Sequence, residues 1–366
     1  DSGSGSLSKR KTADGSFLYR ARRGALLNRW KEIAWYGMRF KIPADWQLSQ
    51  IGIRYLSIED ENGPVMEIKW DRVKGHFSHS THLKRLSALQ KRQLRKSVRP
   101  EPLSSEWSQA LAGFTASEFS WQSPAISARG VLLYCPTCRH ATLVQFFQKG
   151  AAPHQKVSTQ ILNSIRDHRS DGQIRWSAYD IRALVPESYH LKTYRFDAGQ
   201  YTLDFAQGNQ HIVLYRWSMA SVLLDKQDLA QLAKTVASFG RSEPVAGTID
   251  GHDMVEWSTA PAAEWQRRLS RFKRNASYGW LGIWHLQAKN RILGIKAEGK
   301  EPLETAVLEA MRLVRFRPQA AFAVGLVFFV VAGEPGDLAV TLECEDVRGD
   351  TIEEPAIVGD HDRRTG

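Results

Sequence analysis

Two stretches decide the fold: WYGMRFKIPADWQL (Trp35–Leu48) and WSAYDIRALVPESYHL (Trp176–Leu191). Each runs from an aromatic start through an alternating strand to Pro, two residues, an aromatic, one residue and Leu. These are Pro43, Trp46 and Leu48 in the first and Pro186, Tyr189 and Leu191 in the second, with the prolines 143 residues apart. Pro closes a strand because it offers no ladder N–H and fixes φ. Self-similarity at a fixed offset is the mark of a repeated unit.

The agreement continues downstream. IGIRYLSIEDENGPVMEIKW (Ile51–Trp70) reads as a hairpin around Glu61-Asn62-Gly63, where Asn-Gly supplies the positive φ of a tight turn. YRFDAGQYTLDFAQGNQHIVLYRW (Tyr194–Trp217) reads as its counterpart, with Trp217 placed 147 residues after Trp70. A helix is expected after each, over His82–Lys96 and Lys226–Phe239. A further strand pair follows, VLLYCPTCRHATLVQFF (Val131–Phe147) and LGIWHLQAKNRILGIKA (Leu281–Ala297), and each copy closes with a helix, Lys156–Asp167 and Leu303–Leu313. The reading is a tandem α+β protein, each repeat an antiparallel sheet covered by helices. It divides into a flexible basic arm (1–30), a first repeat (31–170), a second repeat (171–317), and an apolar run with an acidic tail (318–366) that stands apart from the fold. The junction falls in the polar stretch near His168–Gln173.

A strand ending in P-x-x-W/Y-x-L, a meandering sheet, a helix, a second strand pair and a closing helix resembles the PsbP-like α/β/α sandwich. The resemblance covers about residues 30–316. It implies a non-enzymatic module that docks onto partners, and it brings no catalytic residues with it.

Length and charge narrow the classes. At 366 residues the chain is long enough for two or three domains. Its 14-residue apolar run, Ala320–Gly333, falls short of a membrane helix, so a membrane partner is not expected. Three cysteines cannot staple a chain of this size, and no apolar leader follows the Gly/Ser-rich start, so a cytoplasmic protein is expected. The formal net charge is +11, with 10 acidic against 3 basic residues after Gly333, which leaves +18 on the rest. Such a body favours an acidic partner protein or nucleic acid.

Cys135-Pro136-Thr137-Cys138 is the sharpest local signal. Two thiolates at C-x2-C spacing can chelate zinc, and His140 offers a third ligand. An inert or oxidisable thiol pair and a redox motif remain open beside it, although a thioredoxin-type pair would sit between strand and helix and not at a hairpin tip. His76, His79 and His82 read as histidines around a helix start. Two basic faces are candidates for a partner or for polyanion contact. One is Lys84, Arg85, Lys91, Arg92, Arg95 and Lys96, within a stretch from Arg72 to Arg99 that holds nine Lys/Arg and no acid. The other is Arg267, Arg268, Arg271 and Arg274, interleaved with Trp265 and Phe272. No phosphate loop, dinucleotide fingerprint, H-E-x-x-H or nucleophile elbow is present. The expectation is a non-catalytic interaction or assembly module. A nucleic-acid binder and a zinc-dependent protein or enzyme centred on the CPTC hairpin are the alternatives.

Overall fold

The computed structural model describes residues 30–94, 97–123, 126–148, 155–168, 172–179, 181–237, 243–259 and 278–300, with side chains outside 89–97 and 155. The arm before residue 30, the Arg267–Arg274 cluster, the Leu303–Leu313 helix and the apolar run and acidic tail lie outside them, as do Arg95 and Lys96.

Each of the two deciding stretches belongs to a hairpin. Strands β1 (Trp30–Trp35) and β2 (Met38–Pro43) turn at Tyr36-Gly37, both at positive φ (48° and 86°). A two-residue turn of this hand matches the twist of the flanking strands, and Gly37 enters it without a Cβ clash. Strands β10 (Gln173–Ala178) and β11 (Ile181–Pro186) repeat the arrangement, with Tyr179 at φ 47°. Trp30 lies opposite Pro43 as Gln173 lies opposite Pro186. The hairpins join edge to edge in a four-stranded sheet of order β11-β10-β1-β2. They meet where Ala34 faces Ser177, and those two residues are themselves 143 apart. Equivalent residues facing each other across an antiparallel pair is what a local twofold produces.

Each hairpin leads into a seven-stranded antiparallel sheet. The first contains β3 (Gln47–Gly52), β4 (Tyr55–Asp60), β5 (Gly63–Arg72), β6 (Ser97–Glu101), β7 (Thr115–Gln122), β8 (Ser127–Tyr134) and β9 (His140–Gln148). Helices α1 (His79–Leu94) and α2 (Ser105–Ala110) are inserted before and after β6, and α3 (Gln155–Ser164) follows the sheet. The second contains β12 (His190–Asp197), β13 (Gln200–Gln207), β14 (Gln210–Ser218), β15 (Val245–Ile249), β16 (His252–Thr259), β17 (Tyr278–Leu286) and β18 (Arg291–Gly299). Here α4 (Ala220–Lys226) and α5 (Leu229–Val236) precede β15, and a 3-10 turn (Gln287–Lys289) links β17 to β18. The strand orders are β3-β4-β5-β9-β8-β7-β6 and β12-β13-β14-β18-β17-β16-β15, the same path in both. Each first strand also carries an irregularity at the same place, between Leu48 and Gln50 and between Leu191 and Thr193.

The expected fold class is corrected. The described residues are predominantly β, three antiparallel sheets with few helices, and not an α+β arrangement of helix-covered sheets. The helices are real but too small for the role given to them. Leu83 and Leu86 of α1 pack with Phe119, Trp121 and Leu132 on one face of the first sheet. Leu232 and Ala233 of α5 pack with Trp217, Trp257 and Ile283 on one face of the second. The helix expected over Lys226–Phe239 is present but shorter, Leu229–Val236, because Gln227 is extended and Asp228 starts the helix with a capping box to Gln231, while Ala237 is extended again. The main core instead joins side chains from all three sheets, including Trp35, Phe40, Ile68, Val144, Trp176, Phe205 and Ile295. Trp35 meets Tyr194 edge-on at 5.4 Å and Trp176 meets Phe205 edge-on at 4.9 Å, so the four-stranded sheet supplies cover that was expected from helices.

Among the described residues no helix is long and apolar enough to cross a membrane.

Candidate metal centre

The β8–β9 hairpin places the two thiols. Its tip, Cys135–Arg139, is closed by Cys135 N–H donating to His140 O (2.9 Å) and Arg139 N–H donating to Cys135 O (2.9 Å). Arg139 closes the loop at φ 59°. The tip is then tied down: Val73 N–H donates to Arg139 O (2.8 Å), and Arg139 Nη2 donates to Gly75 O (2.9 Å).

A second segment comes to this tip from the far side of α3. After the helix the backbone forms an antiparallel bridge with β2: Arg39 N–H donates to Arg166 O (2.9 Å) and Arg166 N–H to Arg39 O (2.8 Å). Arg166 Nη1 also caps the carbonyls of Asn163 and Ile165, at 2.9 and 2.7 Å. The next two residues, Asp167 and His168, are thereby held against the thiols. Cys138 Sγ donates to Asp167 Oδ2 at 3.0 Å, Cys135 Sγ lies 3.7 Å from His168 Nδ1, and His168 Nδ1 lies 2.7 Å from Asp167 Oδ1.

One ligand atom from each of Cys135, Cys138, Asp167 and His168 lies within 4.8 Å of the other three. Four side chains that can all ligate, two of them soft sulfurs, converge on one point, and both thiols are free. Cys135 and Asp167 are buried, Cys138 is half-buried and His168 is exposed. A carboxylate as buried as that of Asp167 calls for a cation or a full set of donors.

His140 is not one of the four. Its Nδ1 lies 3.1 Å from Cys138 Sγ, beside the cluster, where a ring N–H can donate to a thiolate. Burial holds the His140 ring below the usual histidine range and so favours the neutral imidazole, an effect that Asp167 offsets in part. Burial, and then the Asp167 hydrogen bond, push the Cys138 thiol up. A redox-active cysteine is activated by the opposite shift.

Of the sequence-derived candidates, the structure brings Cys135 and Cys138 together and sets His140 next to them. Asp167 was missed because it reads as the end of the closing helix, which in fact stops at Ser164, and His168 because a polar stretch beyond that helix reads as a linker. The available signal was an Asp-His pair beside the unit that carries the C-x2-C. Lys84 and Arg85 are exposed on α1; Lys91 and Arg92 belong to the same helix but their side chains lie outside the described set. The other basic candidates lie wholly outside the described residues. The three histidines do not converge on a metal: His79 Nε2 contacts Thr115 O at 3.1 Å and His82 Nδ1 contacts Ser78 O at 2.8 Å.

No family model and no curated protein matches the chain. Among solved structures, a protein from Bacteroides thetaiotaomicron VPI-5482 aligns at a TM-score of 0.24 and 12% identity over 41% of this chain. The alignment spans 50% of that protein's length. The T6SS immunity protein TplEi from Pseudomonas aeruginosa aligns at a TM-score of 0.29 and 11% identity, over 77% of this chain and 94% of its own. Its complex with an "L" peptide aligns at 0.29 and 11%, over 78% and 95%. Overlaps of this size leave function to be argued from the residues of this chain.

Proposed function

We propose that the chain is a zinc-stapled, non-catalytic binding module. One Zn2+ held by Cys135, Cys138, Asp167 and His168 would lock the hairpin tip of the first sheet to the segment that enters the second half. The observation that carries this reading is the convergence of four ligand atoms within 4.8 Å. Two thiolates favour zinc over calcium or magnesium, which take oxygen ligands. Four protein ligands complete a tetrahedron and leave no open position for substrate, the arrangement of a structural rather than a catalytic site. The two thiolates and the carboxylate carry three negative charges against the ion's two positive, and a His140 N–H donated to Cys138 would stabilise the excess on sulfur.

The staple serves docking. It fixes the hairpin tip of the first half to the segment that leads into the second, and a body of net charge +18 steers an acidic partner protein. Docking is also what the PsbP-like resemblance implied. No feature among the described residues favours nucleic acid over protein.

The test is elemental analysis of the purified full chain beside the Cys135→Ser/Cys138→Ser variant, with circular dichroism to confirm that both fold. About one zinc per chain in the native protein and almost none in the folded variant supports the staple. No zinc in the native protein, or equal zinc in both, overturns it.

A further inference from the structure

A cavity of about 390 Å³ opens beside the metal cluster, lined by both halves of the molecule. The first half contributes Tyr36, Arg39, Arg54 and Arg72. The second contributes Arg175 and Trp176 from β10, with Tyr189 and Leu191 from the approach to β12 and its start. Its volume is in the range of small-ligand sites, and its walls combine aromatic faces with guanidinium groups.

The hydrogen-bonding balance of this wall is one-sided. Arg39 Nε, Arg175 Nε and Trp176 Nε1 are buried and have no acceptor among the described residues. These are three of the eight such side-chain atoms found there, all three are donors, and all belong to residues lining this cavity. Buried polar groups ordinarily find partners, so three orphan donors in the wall of one cavity mark a region rich in donors and short of acceptors.

The charges agree. Arg54 is paired with Asp71 at 2.6 Å and Arg175 with Glu32 at 3.0 Å. Arg39 and Arg72 have no acidic partner among the described residues. The acidic residues of the lining are Asp167, which belongs to the metal cluster, and Glu187. Histidines 140, 168 and 190 and the Cys138 thiol of the metal cluster also line it.

We infer that this cavity binds a small organic oxyanion, a phosphate or carboxylate carried on an apolar or aromatic body. The oxyanion accepts from the guanidinium of Arg39, with Arg72 adding charge at the mouth, while Tyr36, Tyr189 and Leu191 cover the body. Guanidinium groups suit this task because their fixed fork matches the paired oxygens of a carboxylate or phosphate. The inference goes beyond the zinc reading and does not rest on it, since none of the donors is a metal ligand.

The test is calorimetric titration of the purified full chain, its zinc content measured beforehand, with phenyl phosphate, with benzoate, and with phenol as the uncharged control. Saturable binding of one of the anions with a Kd below about 1 mM is expected, and no binding of phenol. Arg39→Met keeps the aliphatic stem and should weaken binding by about tenfold or more. Arg72→Met, on an exposed residue, gives a second reading should Arg39→Met not fold. Arg195→Met, paired with Asp197 elsewhere on the surface, should change nothing. Phenyl phosphate binding alone assigns a phosphate ester, and benzoate binding alone a carboxylate. No saturable binding of either anion, or binding unchanged in both the Arg39 and the Arg72 variants, overturns the inference. One zinc per chain without anion binding would sink this inference alone, whereas anion binding by a zinc-free protein would sink only the staple.

Discussion

The tip between β8 and β9 and the tip between β17 and β18 stand at equivalent ends of two sheets with the same strand order, yet their chemistry differs. The first is Cys135–Arg139, with two thiols turned toward Asp167 and His168. The second is Gln287–Asn290, a 3-10 turn closed by Asn290 at φ 50°, with no thiol in it. The scaffold therefore does not need the cysteines: a hairpin in this place folds on ordinary turn geometry. What the first tip adds is a contact with the segment that crosses to the other half, and that segment is where a metal would have a mechanical effect.

The same comparison extends through the core. The largest expected effect is at the junction, where Trp35 is fully buried and its Nε1 donates to Gly52 O at 2.7 Å. Trp35→Ala should cost about 4 kcal/mol in a urea melt, the range of large-to-small aromatic truncations. A sharper version sets Trp35→Phe against Trp176→Phe. The first loses a buried hydrogen bond while the second removes a donor with no acceptor, so the first should be more damaging. Equal costs would remove the asymmetry claimed for the two rings.

Next come two glycines at matching positions of β8 and β17. A Cβ on Gly130 would come to 2.4 Å of the Phe119 ring and 2.7 Å of the Val144 carbonyl oxygen, and the backbone there cannot yield. A Cβ on Gly282 would meet the Trp280 ring at 2.4 Å and the Met254 methyl at 2.8 Å, and a methionine end can move. Gly130→Ala should therefore cost about 3 kcal/mol and Gly282→Ala about 1 kcal/mol, read from denaturant midpoints. A reversed order would mean that the second sheet is the tighter one.

Helix starts give a smaller effect. Asp228 accepts from Gln231 N–H at 2.6 Å and caps α5, so Asp228→Ala should lower stability by about 1 kcal/mol. No acidic residue occupies the first turn of α1, which depends on the burial of Leu83 and Leu86.

The smallest expected effect is a pH dependence particular to the first half. Burial lowers the pKa of His79 from 6.5, with the Thr115 carbonyl opposing and His82 adding to the shift. The folded state then binds fewer protons than the unfolded chain in the window below 6.5, so stability falls as pH drops from 6.5 toward the lower folded value. In urea melts at pH 7.5 and 5.5, His79→Asn should flatten that loss; an unchanged slope would assign the loss to other groups. The first helix of the second half, ASVLLDK, has no histidine to respond.

Much of the strand path was legible because its signals are local. Pro43 and Pro186 end strands, Glu61-Asn62-Gly63 turns with Gly63 at φ 110°, and Trp70 and Trp217 lie on corresponding third strands, whereas the turn at Tyr36-Gly37 reads as continuous strand. The layers were misread because helix periodicity shows that a helix exists but not what it can cover. The partner of each sheet face was the hairpin pair β1-β2 and β10-β11, a contact between residues about 143 apart that no window sees. The pairing also corrects one equivalence: Trp35 ends β1, while Trp176 sits two residues before the end of β10. Half of the metal cluster was readable for a similar reason. C-x2-C is a local spacing, whereas Asp167 and His168 reach it only through the Arg39–Arg166 bridge.

The most direct test of the staple is X-ray absorption at the zinc K-edge of the purified full chain. Two sulfur neighbours at about 2.3 Å and two nitrogen or oxygen neighbours at about 2.0–2.1 Å are predicted, with the sulfur shell lost in Cys135→Ser/Cys138→Ser. A shell without sulfur, or one of four sulfurs, would contradict the assignment of Cys135, Cys138, Asp167 and His168 as the ligands.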